Sequence, residues 1–106
     1  MNSEELVRTV VDALEDIKAY DIDVIEVSKI TSLFEYIIIA SADSTRQTKS
    51  LANNVQEKVK AAGGHIFSVE GERSGEWLLV DLGDAIVHIM LPAAREYYNV
   101  KALWSR

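Results

Sequence analysis

The fold is decided by the stretch Trp77-Leu78-Leu79-Val80-Asp81-Leu82-Gly83-Asp84-Ala85-Ile86-Val87-His88-Ile89-Met90. It contains two predicted strands, residues 76–82 and 85–91, and Gly83-Asp84 between them is typical of a tight hairpin turn. Because side chains alternate along a strand, the hairpin has two different faces. One face is aliphatic, with Leu78, Val80, Leu82, Val87, Ile89 and Leu91, whereas the other combines Trp77, Leu79, Ile86 and Met90 with Asp81 and His88.

The residues on either side of this hairpin predict the remaining elements. Apolar residues at helical spacing predict helices over residues 4–19 and from about Ser44 to Ala62, the second ended by Gly63-Gly64. Further strands are predicted at 22–28, 34–40 and 66–70, and a short helix begins near Ala93. The order α-β-β-α-β-β-β-α predicts one domain, residues 1–106. We expect an α/β (α+β) two-layer sandwich, in which a five-stranded mixed sheet has two main helices on one face.

Composition and charge narrow the class of protein. With 106 residues, 48% of them hydrophobic and none a cysteine, the chain suits one globular core without disulfides or thiolate metal sites. It has no apolar run long enough to cross a membrane and no apolar signal core at its start, so we expect a cytoplasmic protein. Its net charge of −6 argues against nucleic acid as the primary partner and favours basic partners. Residues 44–62 depart from this average, with four basic residues and one acid.

The mixed face of the hairpin is a candidate interaction surface. If the helices cover the aliphatic face, then Trp77, Leu79, Ile86 and Met90 lie on a face that no main helix covers. Large apolar residues among a few charges are typical of a protein-binding surface. The alternative is that the C-terminal segment, with Leu103 and Trp104, folds back over this face.

The sequence gives little support for an enzymatic function. The strand, small-residue turn and helix over residues 36–50 are similar in layout to nucleotidyltransferases, which need a Gly-Ser pair at the turn and nearby carboxylates for magnesium. Here the turn is Ala40-Ser41, and Ser44 to Gln56 contains no acid. We therefore predict no enzyme activity, metal or cofactor. The alternative is a residual nucleotide- or phosphate-binding protein that uses Ser41, Ser44, Asp81 and Asp84.

Four segments together resemble one known family. They are Val69 to Met90, Ala13 to Ala19, Ser44 to Ala52 and the terminal Leu103-Trp104-Ser105, and they resemble the ribosomal silencing factor family (RsfS, also called Iojap) over nearly the whole chain. The sequence departs from the family at Ala40-Ser41-Ala42-Asp43, where members often have a Thr-Gly-Thr type turn.

This resemblance implies a fold, a partner and a function. The fold is nucleotidyltransferase-like without the catalytic residues. The partner is the large ribosomal subunit, bound through ribosomal protein L-fourteen at the intersubunit face. Binding there blocks an intersubunit bridge, prevents the small and large subunits from associating and represses translation when nutrients are limited. Members of the family also form homodimers.

The residues and the resemblance together predict a partner-binding site. Trp77 is expected to be its apolar anchor. Leu79, Met90 and Tyr98 are expected to extend the apolar patch, and Glu70, Glu72, Glu76 and Asp81 to pair with Lys or Arg of the partner. A further alternative is a structural homodimer whose sheet face binds only itself.

Overall fold

The computed structural model describes residues 1–104 of the chain, and Ser105 of the terminal motif lies outside them. The elements are α1 (Ser3–Asp16), β1 (Tyr20–Glu26), β2 (Tyr36–Ser41), α2 (Thr45–Ala61), β3 (Ser68–Glu70), β4 (Trp77–Asp81), β5 (Ala85–Met90), α3 (Pro92–Tyr98) and α4 (Val100–Trp104). The predicted order of elements is confirmed, except that two short helices replace the single C-terminal one. Asn99 separates them, because its left-handed backbone (φ 46°) ends α3. Within residues 1–104, no helix has the length and apolar content needed to span a membrane.

The five strands form one mixed sheet in the order β1-β2-β5-β4-β3. Only β2 and β5 pair in parallel, and the other neighbours are antiparallel. The predicted hairpin is β4 and β5, with Trp77 opposite Met90 and Asp81 opposite Ile86. The α+β fold with a five-stranded mixed sheet is therefore confirmed.

Helices α1 and α2 pack on one face of this sheet and form the main core with it. The helices contribute buried Leu14 and Val55, and the sheet contributes Ile38, whose side chain is 0% exposed. The aliphatic side of the hairpin faces these helices, as its alternation predicts, through Leu78, Val80, Leu82, Val87 and Ile89. Leu91 does not belong to this core, because β5 ends at Met90 and Leu91 is the N-cap of α3.

The opposite face of the sheet is covered over the half that contains β1 and β2. Val100 of α4 is buried against Val27, Ile37, Ile39 and Met90, and Trp104 packs at the edge of this second cluster. The Arg95 guanidinium of α3 donates a hydrogen bond to the Ser41 hydroxyl at 2.9 Å and forms an ion pair with Asp23. The prediction that this face is left uncovered is therefore wrong for the half that contains β1 and β2, where the C-terminal segment folds back as in the alternative. Val100 and Trp104 provide the cover, whereas Leu103, which the alternative also named, is 62% exposed.

The buried central strand offers a test of this packing. Ile38→Ala removes a fully buried side chain beneath the helices, and we expect it to lower the free energy of unfolding by about 2–5 kcal/mol. Val24→Ala is the matched control, because Val24 lies opposite Ile38 on β1 but is 43% exposed, so its loss should cost less than about 1 kcal/mol. Urea unfolding followed by circular dichroism measures both, and equal losses would contradict the burial described here.

Candidate partner-binding surface

The half of the second face that contains β3 and β4 holds an open pocket of about 340 Å³. Strand register produces it, because Glu70, Leu79 and His88 lie side by side across three strands, and Asp81 lies beside Ile86. The walls are completed from the C-terminal segment and the start of β2. Its lining residues are Phe34, Ile37, Glu70, Leu79, Asp81, Ile86, His88 and Trp104.

A cluster of aromatic rings adjoins this pocket. The ring centroids of Trp77 and Tyr98 are 4.7 Å apart, and those of Tyr98 and Tyr97 are 4.9 Å apart. Tyr98 is 52% exposed and Tyr97 is 82% exposed, whereas Trp77 is half-buried. Short α3 thus places two tyrosines at the surface beside the indole of β4, and the cluster presents a continuous aromatic surface to solvent.

A hydrogen bond to His88 holds the Trp77 indole in place. The Trp77 Nε1–H donates a hydrogen bond to His88 Nδ1 at 2.9 Å. Burial lowers the pKa of His88 from 6.5 to about 4, so the ring is neutral at pH 7. Because Nδ1 of the neutral ring accepts this hydrogen bond, the ring's own proton is on Nε2. His88 is therefore a positioning residue for the aromatic cluster.

The turn between β3 and β4 fixes where Trp77 begins its strand. Gly71 has a φ of 89°, and a Cβ atom at this position would lie 2.0 Å from the Trp77 carbonyl oxygen. The Gly75 N–H donates to the Gly71 carbonyl at 3.0 Å, and the Gly75 carbonyl accepts a buried hydrogen bond from the Thr48 hydroxyl of α2 at 2.6 Å. Glycine is thus required at residue 71, because any side chain would push the turn away from β4.

The structure separates the predicted site residues into four groups. Glu70, Leu79 and Asp81 line the pocket, and Trp77 and Tyr98 form the aromatic cluster beside it. Glu72 and Glu76 are exposed at the turn, outside the pocket. Met90 is 0% exposed beneath the C-terminal segment, so its predicted contact with a partner is wrong for this conformation.

Sequence reasoning placed His88 on this face without giving it a role and named Trp104 only as a possible cover, and it did not assign Phe34 or Tyr97 to the site. Trp104 and Phe34 meet only in the folded chain, with ring centroids 5.4 Å apart. The adjacent Tyr97 and Tyr98 were the one available signal, since a short helix with one packed side tends to leave at least one of two consecutive residues exposed, and here Tyr97 is 82% exposed.

The four residues of the nucleotide-binding alternative are not brought together. Ser41 lies opposite Met90 at one end of β5, whereas Asp81 lies opposite Ile86 near the other end, about 13 Å away at the usual rise per residue. Ser41 is also buried and accepts a hydrogen bond from Arg95. Among residues 1–104, no group of three or more histidine, aspartate or glutamate side chains is arranged to hold a metal ion.

The burial of His88 predicts a pH dependence of stability. Unfolded His88 binds its proton near pH 6.5 and folded His88 only near pH 4, so between these values the unfolded chain holds more protons. The free energy of unfolding should therefore fall as the pH drops from 6.5 towards 4, by up to about 3 kcal/mol from this residue.

Urea unfolding at several pH values tests this, because His88→Gln should lose less stability than the wild type between pH 7 and pH 4. His65→Gln is the matched control at an exposed histidine. Identical pH profiles for His88→Gln and wild type would contradict the assignment.

Comparison with known proteins gives a consistent result. The family described as "Ribosomal silencing factor during starvation" matches the chain over residues 1–106. The "Ribosomal silencing factor RsfS" of Chromobacterium violaceum is 54% identical over 104 residues, which cover 98% of this chain and 85% of that protein. The mouse protein "Mitochondrial assembly of ribosomal large subunit protein 1" is 32% identical over 98 residues, which cover 90% of this chain and 43% of that protein.

The fold agrees with these sequence relationships. A crystal structure of a Chromobacterium violaceum protein superposes with a TM-score of 0.97 and 53% identity, over 99% of this chain and 88% of that one. A match of the whole sequence and of the whole fold leads to one conclusion: the chain belongs to the ribosomal silencing factor (RsfS) family.

Proposed function

We propose that this chain acts in the cytoplasm as a translational repressor that binds the large ribosomal subunit through ribosomal protein L-fourteen. Occupying the intersubunit face blocks an intersubunit bridge and keeps the small subunit from joining when nutrients are limited. Membership of a family named for ribosomal silencing supports the general role. The name of the mouse relative, which refers to the ribosomal large subunit, supports the choice of subunit.

The observation that carries the proposal is the pocket with Glu70 and Asp81 among apolar walls. Leu79 and Ile86 on the sheet and the Trp104 ring supply apolar surface for the stem of a long side chain. The two carboxylates supply negative charge for its head. Lys and Arg have this combination of apolar stem and cationic head, so the pocket is complementary to a basic protein.

The aromatic cluster supplies the second part of the docking surface. Trp77 is held by its hydrogen bond to His88 and its contact with Tyr98, so little conformational freedom is lost when a partner packs on it. Preorganised tryptophan and tyrosine side chains are the residues that most often dominate binding energy. We therefore assign the anchor role to Trp77 and Tyr98 and drop buried Met90 from the contact set.

The dimensions of the protein support a steric block of subunit joining. The chain measures 33 × 31 × 21 Å along its principal axes. If the protein lies between the two ribosomal subunits, even its thinnest dimension keeps them about 21 Å apart. Side chains and bases touch only when they are within a few ångströms of each other. The repression is thus steric and needs no catalytic group.

The anchor assignment predicts an unequal effect of two substitutions. Trp77→Ala should weaken binding to purified large subunits by about 2 kcal/mol, or about 30-fold, because it removes a preorganised aromatic anchor. Glu72→Ala should cost less than about 1 kcal/mol, because Glu72 is an exposed carboxylate at the rim. Co-sedimentation with large subunits measures both.

A folding control is needed for this comparison, because Trp77→Ala leaves His88 Nδ1 without its donor. Tyr98→Ala removes a half-exposed ring at the helix end and should weaken binding about tenfold or more without loss of folding. Equal losses for Glu72→Ala and the two aromatic variants would refute the anchor assignment.

The pocket predicts a separate effect of one carboxylate. Asp81→Asn keeps the oxygen that accepts the Gly83 N–H at 2.9 Å but removes the charge, so the fold should survive while subunit binding weakens about tenfold. Asp12→Asn is the matched control, because Asp12 lines a cleft between α1 and α2 on the other face of the sheet. The same variants in a light-scattering assay of subunit association should show weaker inhibition for Asp81→Asn and normal inhibition for Asp12→Asn.

A further inference from the structure

The docking surface does not use the one basic region of this acidic chain. Helix α2 has Arg46, Lys49 and Lys60 on its exposed side, together with Asn53 and a single acid, Glu57. Spacings of three, four and seven residues place Arg46, Lys49 and Asn53 along one stripe, and Lys60 continues it three turns beyond Lys49. We call Arg46, Lys49, Asn53, Lys60 and nearby Arg73 the basic stripe.

Arg73 belongs to this stripe because the turn between β3 and β4 is fixed to α2. The Thr48 hydroxyl of α2 donates its buried hydrogen bond to the Gly75 carbonyl, and the Lys49 Cε lies 3.1 Å from where a Cβ atom would stand at Gly75. The turn is therefore packed beside Lys49, and exposed Arg73 lies two residues away from that contact.

The charges of this stripe are not neutralised by the rest of the described chain. Within residues 1–104, the salt bridges are those of Arg95 and Lys101 with Asp23, so the cations of the stripe lack ion-pair partners there. The remaining lysine of α2 differs, because Lys58 lies on the other flank, in the cleft that Asp12 and Asp16 also line. Arg46 and Lys49 are like charges three residues apart and repel each other, whereas Glu57 lies on the same side of the helix three residues before Lys60.

We infer that the basic stripe binds the phosphate backbone of large-subunit RNA while the opposite face holds the protein partner, an inference that rests on the proposed function. Exposed arginines and lysines with an intervening amide donor are the groups that contact phosphates without reading sequence. The chain's overall charge of −6 keeps RNA from being its primary partner, so this contact adds to the protein contact and does not replace it.

The geometry allows both contacts at once. The turn that carries Arg73 packs against α2 through Gly75 and leads directly into Trp77, so the two surfaces meet at the β3–β4 edge. The protein is 21 Å thick at its thinnest, so the two surfaces are separated by no more than the thickness of a small domain at this edge. The β3–β4 edge is the part of the molecule that would lie where the partner protein and the large-subunit RNA meet.

The test compares two pairs of neutralising substitutions that change the net charge equally. Arg46→Gln with Lys49→Gln removes two cations of the stripe, and Arg8→Gln with Lys29→Gln removes two exposed cations elsewhere. Affinity for purified large subunits is measured across salt concentrations, and affinity for isolated L-fourteen protein is measured in parallel. Circular dichroism and thermal unfolding confirm that both double variants are folded.

We expect the stripe variant to bind large subunits about tenfold more weakly near 0.1 M salt, and its plot of log affinity against log salt to be shallower by about 1.4–1.8. The control pair should stay within about twofold of wild type, and both variants should bind isolated L-fourteen protein normally. A stripe variant equal to the control pair would overturn the inference, and so would an equal loss on the isolated protein. Wild type that fails to bind large subunits would instead overturn the proposed function.

A photoreactive benzoylphenylalanine in place of Asn53 identifies the neighbour directly. Crosslinking of the bound complex to large-subunit RNA supports the inference. Crosslinking to a ribosomal protein alone, or to neither component while the complex remains bound, overturns it.

Discussion

Two strands that are far apart in the sequence, β2 and β5, pair in parallel at the centre of the sheet. The layers that cover the two faces of the sheet depend on this pairing. Ile37, Ile38 and Ile39 of β2 are at most 1% exposed and point alternately to the two faces. A strand that is apolar on both sides needs a covering layer on each. Helices α1 and α2 supply one layer, and the C-terminal segment supplies the other.

The second layer is too small to cover its whole face. Helices α3 and α4 have seven and five residues, and Arg95 and Lys101 hold them over β1 through Asp23. The β3–β4 half therefore stays open, and it is there that carboxylates and aromatic rings replace aliphatic side chains. Incomplete cover at one end of the sheet leaves this pocket and these rings accessible, while the residues under both layers stay buried.

The charge of the chain is distributed around that open edge and not evenly. Glu70 and Asp81 lie in the pocket on one side of the sheet, and the basic stripe of α2 lies on the other. One turn, fixed by Gly71 and by the Thr48 bond to Gly75, connects the two. A net charge of −6 alone conceals this arrangement, and it is the local pattern that determines what each surface can bind.

Much of this protein's fold could be predicted from its sequence. Alternation in residues 76–91 assigned Leu78, Val80 and Ile89 to the face that the helices cover. This was possible because successive side chains of a strand always point to opposite faces of the sheet. The same pattern could not show that Met90 is covered while Leu79 stays accessible, since both lie on the same face of the sheet. Only the tertiary structure decided that, because the answer depends on where a segment distant in sequence packs, and burial is a property of neighbours in space.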